Sequence, residues 1–283
     1  MVEQMPSSSH REHVKQDLPR RSAKLDRRYV EKPWGRAQLP AIFEAPSRSP
    51  IGEIWFASAR GLPLLAKYLF TSERLSVQVH PDDAQARVRG LERGKAECWY
   101  VIEAESEATI GLGLRGTLTR EELRSAALDG SIVDAMEWRT VRAGDFFYVP
   151  PGTIHAIGGG ISLLEFQQNS DATYRLYDYG RPRPLHLDDG VVVAALNEYP
   201  DKFFQSVEES ADRILVDGPE FVFVHCHSDS LQDRRRWILP LDGMVHCNGE
   251  TVTVGECLLA EAGVQVESDS ARLFIGSACS ATA

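Results

Sequence analysis

Two residues of one short run, Gln78 and His80 in Leu75-Ser76-Val77-Gln78-Val79-His80, stand two apart. On a β-strand that spacing sends both side chains to one face. Glu97 opens a second apolar run, and His155 follows a glycine turn at Gly152. Gathered at one cavity, two imidazoles, a carboxylate and an amide oxygen make a donor set for Zn²⁺ or a similar borderline divalent ion, with a position left for substrate or water. One Gln-x-His pair alone is a weak signal, since a lone histidine is more often packed or solvated. The weight lies in four ligand-type residues at the ends of candidate strands.

The elements that must position them are short and β-rich: Gly52-Glu53-Ile54-Trp55-Phe56, Leu75 to His80, Cys98-Trp99-Tyr100-Val101-Ile102, Asp145-Phe146-Phe147-Tyr148-Val149 and Ser162 to Gln167. Many short strands punctuated by Gly and Pro predict an antiparallel barrel or sandwich. Two interruptions read as helices. One follows His80, where Asp82 and Asp83 are first-turn residues; the other starts at Thr119, which has capping-box spacing to Glu122.

A weak repeat supplies the architecture. Gly144-Asp145 with Gly152 matches Gly255-Glu256 with Gly263, and Trp99 matches Trp237. The Trp-to-Gly spacing is 45 residues in the first copy and 18 in the second, and the 27-residue difference is about the size of the helical insertion. The pattern G-D-x-x-x-x-P-x-G-x-x-H of the first copy resembles the second motif of cupins, small jelly-roll barrels. The expected fold is therefore mainly β: two tandem cupin-type jelly-roll barrels. The expected divisions are a polar, basic extension over 1–28 with structure starting near Tyr29, a catalytic barrel over 29–198 with a helical insertion near 115–141, and a degenerate second barrel over 199–283. In the second copy Val266 stands where the first has His155, and Arg235 where it has Glu97, so the polar site is lost there.

Composition narrows the function. The chain has 283 residues, 43% of them hydrophobic, and a net charge of −10, which suits a globular protein and disfavours general nucleic-acid or anionic-membrane binding. No apolar stretch approaches the roughly 18 residues of a membrane span. Five cysteines without a C-x-x-C pair, and no leader pattern, point to inert thiols in a reducing cytoplasm.

Four blocks in order then carry a resemblance: Leu75 to Asp83, Gly94-Lys95-Ala96-Glu97-Cys98-Trp99-Tyr100, Pro150-Pro151-Gly152-Thr153-Ile154-His155-Ala156, and Glu165 through Arg181. Together they resemble the type I phosphomannose isomerases in their short bacterial form, over nearly the whole chain from Val30. The resemblance implies one zinc ion held by Gln78, His80, Glu97 and His155. It implies a catalytic Arg175 with Glu165 and Lys95 beside it, either of which is a candidate base, and a substrate phosphate met by Ser76, Arg175 and Arg181, with Arg183 nearby. The implied reaction interconverts mannose 6-phosphate and fructose 6-phosphate through an enediol, in a monomer or homodimer whose partner is a small sugar phosphate. Two rivals remain at this point: an isomerase or epimerase of another phosphosugar, and a non-catalytic phosphosugar-binding barrel. An iron oxygenase on the same scaffold fits poorly, because Gln78 is foreign to its usual ligands. His186, His225, His227 and His246 read as structural or solvated, and Arg234-Arg235-Arg236 as a solvated turn.

Overall fold

The computed structural model describes residues 22–43, 49–57, 61–207, 210–269 and 271–279. The fold is mainly β and cupin-like, and its strands lie in four antiparallel sheets stacked as layers. Period-2 alternation explains the stacking. In the strand Leu64–Phe70, Leu64, Ala66, Tyr68 and Phe70 face one way, and Leu65, Lys67 and Leu69 face the other. That strand is near the middle of a seven-stranded sheet, ordered Phe204–Ser206, Asp145–Val149, Glu97–Ala104, Ile161–Gln168, Leu64–Phe70, Ile51–Ala57, Asp26–Arg36.

One face of this sheet packs through Leu69, Trp99, Val101 and Leu163 onto Ile110, Leu112 and Ile157 of a five-stranded sheet. That sheet runs Tyr174–Tyr177, Val77–Val79, His155–Ile157, Thr109–Leu114, Met136–Thr140. Its outer face is covered by helices: Leu123, Ala126 and Ile132 pack on Val77, Val79 and Leu176. The segment expected as a helical insertion carries the helices Arg120–Asp129 and Ile132–Ala135, the first closed by the Thr119–Glu122 capping box. Asp82 caps the helix Asp83–Val88 in the same way, with Gln85 as its reciprocal partner.

The opposite face of the seven-stranded sheet meets a six-stranded one: Ser22–Lys24, Leu258–Ala260, Arg236–Pro240, Leu273–Ala278, Phe221–Cys226, Arg213–Asp217. Phe166 is the anchor of that contact, its ring centroid 4.9 Å from Phe223 and 5.4 Å from Phe221. A three-stranded sheet (Met244–Cys247, Glu250–Thr253, Glu267–Asp269) closes the far side through Val245 and Val252. The repeat is visible in the turns. Gly144, Gly152, Gly255 and Gly263 all have positive φ, which glycine adopts without steric cost. Asp145 accepts from the Arg142 amide and Glu256 from the Thr253 amide, each at 3.0 Å.

Two expectations are corrected. Strand structure begins at Ser22, ahead of Tyr29, because Ser22–Lys24 adds to the edge strand Leu258–Ala260; residues 1–21 of the expected extension lie outside the described residues. The arginine run is not a solvated turn. Arg236 is fully buried, its guanidinium held by Asp229 and by the carbonyls of Arg234, Glu261 and Val264, while Arg235 pairs with Glu261 near the surface. No helix among the described residues is long and apolar enough to cross a membrane.

The contact between the seven- and six-stranded sheets leaves no space for a methyl group at Gly276, whose added Cβ would lie 2.2 Å from Phe166 Cζ. Gly276→Ala is expected to destabilise the fold by about 1–3 kcal/mol, as overpacked cores do. The fall in thermal midpoint relative to wild type measures it.

Candidate metal centre and catalytic cavity

Between the seven- and five-stranded sheets lies a cavity of about 230 Å³, somewhat below the usual about 300–1,000 Å³ of ligand sites. Cross-strand register sets its walls, since directly opposed residues share a face. On the five-stranded side Gln78 pairs with His155 on one flank and with Arg175 on the other. On the seven-stranded side one row runs Trp99, Glu165, Lys67, Trp55, and the next carries Glu97 beside Gln167.

His80, Glu97 and His155 converge, with ligand atoms all within 4.8 Å of one another, and form the one such trio of His, Cys, Asp or Glu among the described residues. His80 Nδ1 lies 2.8 Å from the Ala172 carbonyl and His155 Nδ1 lies 2.9 Å from the Thr153 carbonyl. A carbonyl only accepts, so each Nδ1 carries the proton and each Nε2 presents a lone pair. Burial holds both imidazoles neutral, pushing His155 down to about 3 and His80 below its ordinary value. Their Nε2 atoms nevertheless point at the Glu97 carboxylate, 3.5 Å from Oε2 and 3.4 Å from Oε1. These are lone pairs facing an anion, not ion pairs, and His155 Nε2 has no hydrogen-bond partner. Such a group fits a cation at its centre, with both histidines oriented by their second nitrogens. Gln78 adds an amide on the same wall.

Glu97 is held well below the usual carboxylate range: burial opposes ionisation, but the Lys95 ammonium at 2.7 Å outweighs it. Lys95 Nζ also lies 3.2 Å from His80 Nε2. Glu165 is buried and pushed up to about 7, because burial and the charge of Glu97 outweigh Lys67 and Lys95. Ser76 and Arg175 line the cavity. The Arg175 guanidinium donates to the Pro184 carbonyl at 2.7 Å, and its buried Nε has no partner. His186, read from the sequence as structural or solvated, accepts from the Arg175 backbone amide at 3.1 Å.

Arg181 does not reach the wall. Asp178 and the Arg74 carbonyl hold it above the Tyr179 ring, and Arg183 lines the cavity instead. In the second unit His225 Nδ1 donates to the Ala211 carbonyl at 2.9 Å, and His227 and His246 pair with Asp212 and Asp269.

The sequence reading missed Lys67, Glu53, Lys32 and Gln167. Lys67 Nζ is 3.1 Å from Glu165 and 3.1 Å from Glu53, whose other oxygen is 3.1 Å from Lys32 Nζ. The signal was a lone charge within each apolar run, Leu64-Leu65-Ala66-Lys67-Tyr68-Leu69-Phe70 and Ile51-Gly52-Glu53-Ile54-Trp55-Phe56.

A mainly β, cupin-like fold with a buried His-Glu-His cluster, its Glu97 in the wall of a cavity lined by lysines and arginines, defines the class. No family model matches the chain. Its sequence is 42% identical over 181 residues to the mannose-6-phosphate isomerase ManA of Bacillus subtilis, covering 59% of this chain and 57% of that protein. The chain thus spans little more than half the length of that curated relative. The solved structure of the Bacillus subtilis mannose 6-phosphate isomerase superposes with a TM-score of 0.75 at 27% identity, over 89% of this chain and 98% of that one. A zinc-bound mannose 6-phosphate isomerase shares the fold with a TM-score of 0.70 at 14% identity, over 91% and 99%. The resemblance drawn from the motifs therefore stands: this chain is similar in sequence to proteins so named and shares their fold.

Glu53 connects this site to stability. Burial resists its ionisation, yet Lys67 and Lys32 bring it down to about 2 from an ordinary 4.5. A carboxyl depressed in the folded state stabilises above its unfolded value and loses that stabilisation as pH falls through the folded one. Between pH about 4.5 and about 2 the wild type is expected to lose on the order of 3 kcal/mol through this group. Denaturant midpoints against pH for wild type and Glu53→Gln check it; equal acid slopes contradict it.

Proposed function

We propose that the protein is an aldose–ketose isomerase that interconverts mannose 6-phosphate and fructose 6-phosphate, with one zinc ion held by Gln78, His80, Glu97 and His155. The observation that carries this reading is the convergence of two imidazole lone pairs and a carboxylate beside a buried carboxyl near neutrality. The relatives' names, as mannose 6-phosphate isomerases, support the same reading.

When bound, a divalent cation at these ligands supplies Lewis-acid stabilisation of a developing enediolate. The chain's own residues do the rest. Glu165 takes the proton from C2 of the open-chain sugar and returns it to C1, a task suited to a group titrating near the working pH. Lys95 is engaged by Glu97 at 2.7 Å and serves as fixed positive charge next to the sugar oxygens. Arg175, which forms no ion pair among the described residues, meets substrate oxygens or phosphate, with Ser76 and Arg183 on the same wall. Lys32, Lys67 and Lys95 balance Glu53, Glu165 and Glu97, so a divalent cation leaves the site positive and matched to a phosphate of about −2 charge.

Zinc-loaded protein should form fructose 6-phosphate from mannose 6-phosphate, and chelator or His155→Ala should abolish it. Turnover that survives both treatments contradicts the metal centre. Sugar-phosphate binding without turnover supports a binding protein instead. Because Glu165 must be ionised to accept the proton, kcat/KM should rise with pH as Glu165 loses its proton. A kcat/KM without an acid limb removes Glu165 from that role.

A further inference from the structure

Lys67 takes no part in the chemistry above, yet it is buried in the sheet that carries the site. It interrupts a face otherwise made by Leu65 and Leu69, where a leucine would continue the wall without desolvating an ammonium. Replacing a buried ion pair by apolar groups is often neutral or stabilising, so stability alone is a weak reason for a lysine there.

Its placement is specific. Lys67 lies directly opposite Glu165 in the strand register and directly opposite Trp55 on the other side. Its Nζ reaches Glu165 Oε1 and Glu53 Oε1 at 3.1 Å each and lies 5.9 Å from the Trp55 ring centroid. Lys95, the other cation near Glu165, is farther from it at 3.6 Å and is 2.7 Å from Glu97. Lys67 is therefore the nearer cation of Glu165, and Lys32 behind Glu53 extends the alternation of charge to the cavity mouth.

We propose that Lys67 is a positioning residue: backed by Glu53 and Lys32, its ammonium fixes the aim and the charge of the Glu165 carboxylate that carries the substrate proton. The reaction in this statement rests on the isomerase reading; the coupling between Lys67 and Glu165 belongs to the protein alone. The groups that face Glu165 are Lys67 from Leu64–Phe70, Glu53 from Ile51–Ala57, Glu97 from Glu97–Ala104, and Lys95 just before that strand, with the Cys98 thiol on the reverse face of the sheet. Arg175 shares the cavity from the opposite sheet. Burial keeps Cys98 in its thiol form. Among these groups Glu97, Glu53 and burial push Glu165 up, and the two lysines pull it down. Lys67 itself stays protonated, its pKa raised by Glu165 and Glu53 against the effect of burial.

Two variants test the coupling with opposite signs. Lys67→Met removes a positive neighbour and should raise the Glu165 midpoint by about one unit or more. Glu53→Gln removes a negative neighbour and should lower it. The midpoint is read by carbon-13 NMR of glutamate-carboxyl-labelled, zinc-loaded protein, the Glu165 signal being the one lost in Glu165→Gln. If the wild-type midpoint is near 7, a one-unit rise cuts the ionised fraction at pH 7 about fivefold. The acid limb of kcat/KM should move with the midpoint, and Lys67→Arg should restore both.

A midpoint unmoved in either folded variant, or shifts of the same sign in both, overturns the proposal. So does an acid limb that stays fixed while the midpoint moves. If Lys67→Met does not fold, as its thermal melt will show, Glu53→Gln and Lys67→Arg still decide. Should the wild type show no isomerase turnover, the isomerase reading fails on its own, and the NMR midpoints still report whether Lys67 sets Glu165.

Discussion

The site depends on one row of alternating charge laid across the seven-stranded sheet. From Lys32 at the mouth through Glu53, Lys67, Glu165 and Lys95 to Glu97, each neighbour has the opposite sign and lies 2.7–3.6 Å away. Each of these ions alone would be too costly to bury. Linked, they neutralise one another pairwise, and a water-poor cavity keeps the interactions strong. The row also places three carboxylates within one cavity without leaving any of them beside only its own kind. Their environments then separate them: Glu97 and Glu53 are driven far below the ordinary range, while Glu165 is driven above it. Divergent environments of this kind let chemically alike groups differ in protonation within one cavity.

Much of this was legible from spacing. Gln78 and His80 two apart, Glu97 at the start of an apolar run and His155 after a positive-φ glycine are local features, and they met where alternation and turn chemistry sent them. The glycine-acid turns of the two repeats were likewise readable, because each turn is closed within four residues. What escaped was set by register and distance along the chain. Lys67 and Glu53 matter because Leu64–Phe70 happens to lie between Ile161–Gln168 and Ile51–Ala57, a pairing that no short window encodes. Arg236 read as surface because its burial needs Asp229 seven residues earlier and two carbonyls from a distant turn. Arg181 and Arg183 are alike in sequence; the turn through Tyr179 and Gly180, both at positive φ, decides which one faces the cavity.

The helices and the second unit divide the support between them. Helices cover the outer side of the sheet that supplies Gln78, His155 and Arg175. The six-stranded sheet presses on the reverse of the strands that supply Glu97, Glu165 and Lys67, through Phe166 and its aromatic neighbours. Phe166 lies between Glu165 and Gln167 in sequence, so the residue that fixes the sheet contact alternates with those that face the cavity. The six-stranded unit thus backs the sheet that carries Glu97, Glu165 and Lys67.

The strand Ser22–Lys24 extends the far, six-stranded sheet, and after the single residue Leu25 the chain enters Asp26–Arg36 at the edge of the near one. The Leu25 amide is tied to the Cys257 carbonyl at 2.8 Å, and its side chain is buried in the core between the sheets. The chain crosses between the same two sheets again after Phe204–Ser206. At the first crossing a single buried residue separates the two strands, which leaves it no slack for a hinge. The cavity is bordered on one side by connecting segments rather than by either crossing, those carrying Ser170, Asp171, Thr173 and Arg183.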